Sequence, residues 1–381
     1  MSPTSIPQVH EAVRAAAAAA PHCAAASPTV RAGALVAVAD ALEAERAALV
    51  ATADAETSLG TARLEGELSR TTFQLRLLAD EVRTGTLHDA RLDRPDPRWP
   101  TGPRPDLRRC RTALGPVLVF AASNFPFAFS VAGGDTASAW AAGCPVVVKA
   151  HPGHPALARR TADTVHRALR EADAPTGMFA LIEGEEAGVA ALRHPALAAA
   201  AFTGSQRGGL ALARIAAERE VPIPFYGELG SVNPVVVTPQ AAAARGTEIA
   251  EGYVGSLTQG AGQFCTNPGL LFVPSATCLV TDIAARLSEV RGAPMLGRWI
   301  ADGYTAAARR LAAQPGVRTL VWPDAPEEAG APGPRLLTTD SRRSPRRARP
   351  SPRSASGRSV WWSRTRTSSP SPRLSPRCRA S

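Results

Sequence analysis

Lysine is almost missing from this chain: of 43 basic residues only Lys149 is lysine, and the other 42 are arginine. Such a ratio points to a GC-biased coding sequence in which Arg has replaced Lys wherever the two are interchangeable. The one retained lysine marks a site that needs a compact ammonium on a flexible stem, or it is a chance survivor. Cysteine pairing is also missing. Cys23, Cys110, Cys144, Cys265, Cys278 and Cys378 include no Cys-x-x-Cys pair and no small-domain spacing, which argues against a zinc site or a disulfide framework and fits a reducing compartment. No long apolar run occurs. Ala15 to Ala20 is too short and too weakly apolar for a signal or a membrane span, and Met1 to His10 has no basic region, so a cytoplasmic protein without a membrane partner is expected. Acidic residues, finally, are absent from residues 341–381, which hold twelve Arg, twelve Ser and six Pro. The net charge of +10 therefore belongs to the tail, because the first 340 residues carry 31 basic and 33 acidic side chains. A nearly neutral body argues against nucleic acid as the main partner.

What is present reads as a two-domain soluble protein of 381 residues. Val9 to about Thr86 is rich in Ala, Leu, Glu and Arg, with apolar residues at helical steps such as Leu35, Val38, Leu42 and Leu49. Five prolines between Arg94 and Pro105 end this helical segment, and an edge hairpin is expected near 98–114, with Leu107 to Thr112 as a strand. Short apolar runs then alternate with helical patterns: Val117 to Ala121, a helix over Asp135 to Ala142, Val146 to Val148, a helix over His154 to Ala172, Phe179 to Ile182, and Ala198 to Phe202. That alternation predicts an α/β fold with a parallel, Rossmann-like sheet. Pro234 to Val237, a helix near Ala241 to Gln259 and a strand at Leu270 to Val273 begin a second α/β unit that continues to about Leu337. The Arg/Ser/Pro segment after it has too few large apolar residues to offset chain ordering and is expected to be disordered.

Three segments carry residues suited to chemistry. Cys265 lies in Gly260-Ala-Gly-Gln-Phe-Cys-Thr-Asn267, a Gly-rich stretch between a helix and a strand. It is a nucleophile if its thiol is activated, or a small buried hydrophobe if it is not. Glu228, in Tyr226-Gly-Glu-Leu-Gly230, can serve as a general base or simply be a solvated turn carboxylate. Asn124, in Ala122-Ser-Asn-Phe-Pro-Phe127, can donate to an oxyanion or merely form a turn.

Taken together the segments resemble the aldehyde dehydrogenase superfamily. The resemblance rests on Ser-Asn124-Phe-Pro-Phe, Lys149 after Pro-Val-Val-Val, Phe202-Thr-Gly-Ser205 with Gly209, Glu228-Leu-Gly230 and Gly262-Gln-Phe-Cys265, in family order and spacing. It covers roughly residues 115–270, with a looser likeness from the N-terminal helices to about Asp340. The longer strings Ala122 to Ser138, Lys149-Ala-His-Pro-Gly-His-Pro155 and Gly262 to Gly269 resemble the branch of the 2,5-dioxovalerate (α-ketoglutarate semialdehyde) dehydrogenases, with NADP-dependent fatty aldehyde dehydrogenases close by.

The resemblance implies a Rossmann-like NAD(P)-binding domain over 1–225 and a partial catalytic domain over 226–340. It implies Cys265 as the nucleophile toward a small aldehyde, Asn124 and the Cys265 backbone N–H as oxyanion donors, and Glu228 as the base for thioester hydrolysis. Lys149 would meet the adenosine ribose, while Gly204, Ser205 and Gly209 would face the pyrophosphate from a helix N-terminus. Pro152 stands where NAD-preferring relatives carry a glutamate, which favours NADP while leaving NAD open. Arg63 and Arg70 are candidate contacts for the far end of an acidic substrate, or solvated helix arginines. The family's Glu-x-Phe-Gly-Pro motif and a final oligomerisation strand do not follow Asp340, and a reading-frame shift is the expected reason. If the chain is expressed as written, weak turnover and doubtful homo-oligomer formation are expected. The alternatives are an inactive remnant, and a protein whose basic tail binds nucleic acid by counterion release.

Overall fold

The computed structural model of the chain describes residues 3–275, 277–323, 330–340 and 361–365. Four helices come first: α1 (Ile6–Ala25), α2 (Pro28–Ala44), α3 (Arg46–Thr57) and α4 (Thr61–Thr84). Their ends follow local chemistry. Ser27 Oγ accepts from Val30 N at 3.3 Å, and Pro28 at the first helical position supplies a preset φ. α4 stops at Gly85, whose φ of +73° is the left-handed turn that closes a helix. The apolar positions read from the sequence, Leu35, Val38, Leu42 and Leu49, are all buried, each large side chain stabilising the fold by ~1.5–3 kcal/mol.

β1 (Arg91–Asp93) and β2 (Leu107–Arg109) form an exposed antiparallel pair with Arg91 opposite Arg109. The hairpin thus begins earlier than the expected 98–114. Proline has no N–H for a ladder, so pairing is pushed to the flanks of the proline-rich segment, which becomes the connection. Asp96 and Arg104 bridge within that connection, and the Arg104 guanidinium lies 4.4 Å from the Trp99 ring centroid.

The chain divides into two compact units, one holding residues up to Gly204 together with Gly208–Glu228, the other holding Ser205–Arg207 and the chain from Leu229 onward. In the first, the sheet comprises β3 (Val117–Phe120), β4 (Val146–Lys149), β5 (Phe179–Ile182), β6 (Ala199–Gly204) and β7 (Phe225–Leu229). The intervening helices are α5 (Gly134–Ala141), α6 (Pro155–Glu171), α7 (Glu185–Arg193) and α8 (Gln206–Ala217). The strand order is β5-β4-β3-β6-β7, and β5, β4, β3 and β6 run parallel. The chain leaves β3 to build one side and returns to build the other at β6. The crevice outside the carboxyl ends of β3 and β6 is therefore the switch point where such sheets hold ligands. α7 was not evident in the sequence, because its nine residues are too few to show a period. β7 corrects another reading: Glu228 lies within a strand, not in a turn before one.

The second unit contains β8 (Pro234–Val236), α9 (Pro239–Thr258), β9 (Leu270–Pro274), α10 (Leu279–Ser288), α11 (Arg298–Ala312), β10 (Arg318–Val321), β11 (Leu336–Asp340) and β12 (Trp361–Thr365). Its sheet has the order β10-β11-β12-β9-β8, with Val237, Tyr253, Leu257, Leu271 and Ile283 in the core beneath it. β12 contradicts the expectation of disorder at its own five residues: Trp361 to Thr365 pair in parallel with Leu270 to Pro274. Average composition over 41 residues hides a short run of Trp and Thr with strand propensity, and inter-strand bonding engages the backbone whatever the flanking charge. The other residues of 341–381 lie outside the described residues. No described helix is long and apolar enough to cross a membrane.

Candidate active site

β3 leads directly into the loop that carries Asn124. Its tight path is fixed by Ala122 N donating to Phe129 O at 2.8 Å and Gly134 N donating to Ala128 O at 2.9 Å. A Cβ at Gly133 would lie 2.5 Å from the Ala128 carbonyl oxygen, so the loop folds back only because that position has no side chain. Sequence reasoning missed the hold that α4 has on this loop. Arg63 Nη2 donates to the backbone oxygen of Asn124 at 2.5 Å, and Glu67 Oε1 accepts from Phe127 N at 2.8 Å and Ala128 N at 3.0 Å. These contacts span some sixty positions of sequence, so no local pattern announces them. That bond places Arg63 against the Asn124 loop, whereas Arg70 is exposed, with its guanidinium 5.9 Å from the Phe125 centroid and 5.1 Å from that of Phe129.

The strand register places Lys149 beside Phe120 and Phe120 beside Phe202, so Lys149, the start of the Asn124 loop and the end of β6 share the carboxyl edge of one sheet. Lys149 is partly buried, and loss of solvent lowers its pKa while Glu185 partly offsets the shift. A Cβ at Gly188 would meet the Phe120 ring at 2.9 Å and Lys149 Cγ at 3.2 Å, so α7 approaches the lysine stem only through glycine. The neighbouring His151 and His154 rings stack 5.5 Å apart. Burial, reinforced by His154 and Lys149, drives the His151 pKa down to about 3. His154 is fully buried and shares a hydrogen bond with Ala122 O at 2.9 Å, tying this segment to the root of the Asn124 loop. At the end of β6, Gly204 is exposed and a Cβ there would meet the Phe202 ring at 2.8 Å. Its bare backbone leads into Ser205 and then α8, while Gly209 is buried one turn into that helix.

Glu228 is exposed on β7. Its charge acts on a residue not singled out from the sequence: Asp135, in the first turn of α5, has its pKa raised first by burial and then by Glu228.

In the second unit the 3-10 turn before Cys265 has left-handed backbone at Gly260, Ala261 and Gly262, with φ of +57°, +54° and +74°. Glycine adopts such values without strain, which accounts for two of the three positions. Gln263 Oε1 accepts from Leu296 N at 3.0 Å and Asn267 Nδ2 donates to Leu257 O at 2.6 Å, pinning both sides of the nucleophile candidate. Ser231 Oγ and Asn233 Nδ2 each donate to the Cys265 backbone oxygen at 2.7 Å. Cys265 and Cys110 are exposed, whereas Cys23 and Cys144 are buried. Cys278 is disulfide-bonded, which its spacing did not reveal. Among the described residues no three His, Cys, Asp or Glu side chains are grouped to hold a metal.

Residues 3–295 match the aldehyde dehydrogenase family. The chain belongs to that family. Among its curated relatives is alpha-ketoglutaric semialdehyde dehydrogenase 2 of Azospirillum brasilense, 50% identical over 299 residues that cover 76% of this chain and 56% of that protein. Alpha-ketoglutaric semialdehyde dehydrogenase of Acinetobacter baylyi is 42% identical over 288 residues, 75% of this chain and 55% of that one. This chain thus spans about half the length of the curated relatives it matches. The solved NADP-dependent glyceraldehyde-3-phosphate dehydrogenase from Bacillus halodurans C-125, complexed with NADP, superposes with a TM-score of 0.79 at 23% identity. The match covers 95% of this chain and 74% of that one. At that identity the likeness establishes the aldehyde dehydrogenase fold, an α/β architecture with a parallel sheet.

Proposed function

We propose that this aldehyde dehydrogenase oxidises an aldehyde to a carboxylic acid with NAD(P), its substrate being 2,5-dioxovalerate or a related semialdehyde. The observation that supports this most is the exposure of Cys265 on a loop whose Cys265 carbonyl is held by Ser231 and Asn233 and whose Gln263 and Asn267 side chains bond to Leu296 N and Leu257 O. The names of the two curated relatives support the substrate class.

In this reading the Cys265 thiolate bonds to the carbonyl carbon, and the oxygen that gains the electron pair accepts from the Asn124 amide and the Cys265 N–H. NAD(P), when bound, supplies the acceptor for the hydride that leaves the adduct. Glu228 takes a proton from water as it attacks the resulting thioester, the C–S bond breaks, and Cys265 returns to its thiolate.

The chain's residues suit a dinucleotide. Gly204 offers bare backbone that a Cβ would fill, and α8 follows it with the positive end of its dipole toward a pyrophosphate, beside Ser205 and Gly209. Lys149 would serve the adenosine ribose. Pro152 puts no carboxylate against a 2′-phosphate, which favours NADP. Arg70, stacked on Phe125 and Phe129, is the candidate for the substrate's distal carboxylate.

The test is aldehyde-dependent reduction of NADP by the purified chain. Formation of NADPH with 2,5-dioxovalerate supports the reading, and its absence with every aldehyde and both nucleotides overturns it.

A further inference from the structure

Arg63, Glu67, Arg70 and Gln74 are spaced by four, three and four residues, which brings them to one face of α4. That face is turned to a single target, the loop from Ala122 to Gly134. Arg63 holds the Asn124 carbonyl, Glu67 holds the Phe127 and Ala128 amides, and both arginines lie over Phe125, at 5.2 Å and 5.9 Å from its centroid. Gln74 sits 3.0 Å from where a Cβ at Gly134 would be. The helix does not need this polar stripe for its own packing, which Leu64, Leu68, Leu75 and Ala79 provide with no exposure.

Glu67 is only 6% exposed, and burial raises its pKa despite the two amides and the arginines that favour its charge. A carboxylate is an expensive group to bury and is retained where its acceptor oxygens have a specific task. Here one oxygen receives two successive N–H groups from the segment three and four residues beyond Asn124. The other end of that segment is gripped by Arg63. A turn tied at both ends has little freedom to move the backbone from which the Asn124 side chain projects.

We propose that Glu67, acting with Arg63, is the positioning residue for the Asn124 amide, fixing the loop so that the amide meets the oxygen of the reacting carbonyl. The assignment rests on the role proposed above for Asn124. Neither Glu67 nor Arg63 touches the reacting atoms. Their contribution is to remove the loop conformations in which the amide is misaimed, an effect that reaches ~100-fold in rate for a misplacement of about 1 Å.

A double-mutant cycle on the full chain tests this. Asn124→Ala is expected to lower kcat by ~100- to 1,000-fold. Glu67→Ala should lower kcat by ~10- to 100-fold in the parent and by less than about threefold in the Asn124→Ala background, because the group it aims is gone. Glu67→Gln, which keeps an acceptor oxygen, should recover most of the loss. Alkylation of Cys265 by iodoacetamide should proceed at the parental rate in every variant, and hydrogen exchange at Phe127 and Ala128 should accelerate in Glu67→Ala. If Glu67→Ala does not fold, Arg63→Lys carries the same cycle. Equal losses in both backgrounds overturn the positioning role while leaving the proposed reaction intact. A parent chain without turnover, or an Asn124→Ala variant with full activity, overturns the role of Asn124 and this inference with it.

Discussion

Asn233 Nδ2 donates to the backbone oxygen of Cys265 at 2.7 Å, and the same amide donates to Asn267 O at 2.9 Å. A single side chain thereby ties the carbonyls on both sides of Thr266 to the segment that follows β7. Asn233 itself has a φ of +47°, a left-handed conformation that Asn tolerates better than most residues. Asn233→Ala is expected to destabilise the second unit by ~1–3 kcal/mol and to slow turnover at least tenfold, since the thiol loses its fixed support. Ser231→Ala should be milder, because Asn233 still holds the shared oxygen. Thermal unfolding beside kcat for the two variants checks the order.

Lys149 lies in register with Phe120 at the carboxyl edge of the sheet, and Pro152 follows three residues later. Pro152→Glu should place a carboxylate where it repels a 2′-phosphate and accepts from ribose hydroxyls, turning the cofactor preference from NADP toward NAD. Lys149→Arg should weaken binding of both, because the planar guanidinium cannot follow the path that Gly188 leaves open. Calorimetric titration of each variant with the two nucleotides reads the preference independently of catalysis. An unchanged ratio of the two affinities in Pro152→Glu would count against the assignment.

Asp135 gives a pH signature. Burial, then the charge of Glu228, raises its pKa above the ordinary 3.8. The native state therefore holds its proton more tightly than the unfolded chain does. The stability this contributes is complete at low pH and declines as pH rises through a window that opens at about 3.8. Asp135→Asn should flatten the melting temperature across that window and raise it at neutral pH. Glu228→Gln should reproduce part of the gain. Parallel profiles for Asp135→Asn and the parent would show that the carboxyl is not so perturbed.

Arg70 should govern substrate choice. Its guanidinium is exposed over two aromatic rings, next to the loop that bears Asn124. Arg70→Ala is expected to raise KM for 2,5-dioxovalerate by ~10- to 100-fold, the value of a charge-assisted hydrogen bond. An uncharged aliphatic aldehyde should be oxidised as before. Equal effects on both substrates, measured side by side, would assign Arg70 to the loop and not to recognition.

The sequence was most informative where chemistry is local. The parallel strands β3 to β6 are legible as apolar runs bounded by helices, and Asn124, Lys149, Glu228 and Cys265 are proposed from short motifs. What stayed hidden depends on distance along the chain or on very short elements. The bonds of Arg63 and Glu67 to the Asn124 loop join a helix to a turn some sixty positions away, and each residue alone looks like an ordinary surface charge. Asp135 matters because the fold buries it and brings Glu228 near it. The strand containing Glu228 lacks the alternation that marks a half-buried strand, since Tyr226, Gly227 and Glu228 are all exposed. β12 was masked by the arginines around it.

The most direct measurement mixes the purified chain with 2,5-dioxovalerate and NADP, follows NADPH by absorbance, and looks for an acyl adduct by peptide mass spectrometry. The account predicts aldehyde-dependent NADPH, an adduct on Cys265 that accumulates when Glu228 is replaced by Gln, and loss of both signals in Cys265→Ser. NADPH formation that survives in Cys265→Ser, or an adduct on any other residue, would contradict it.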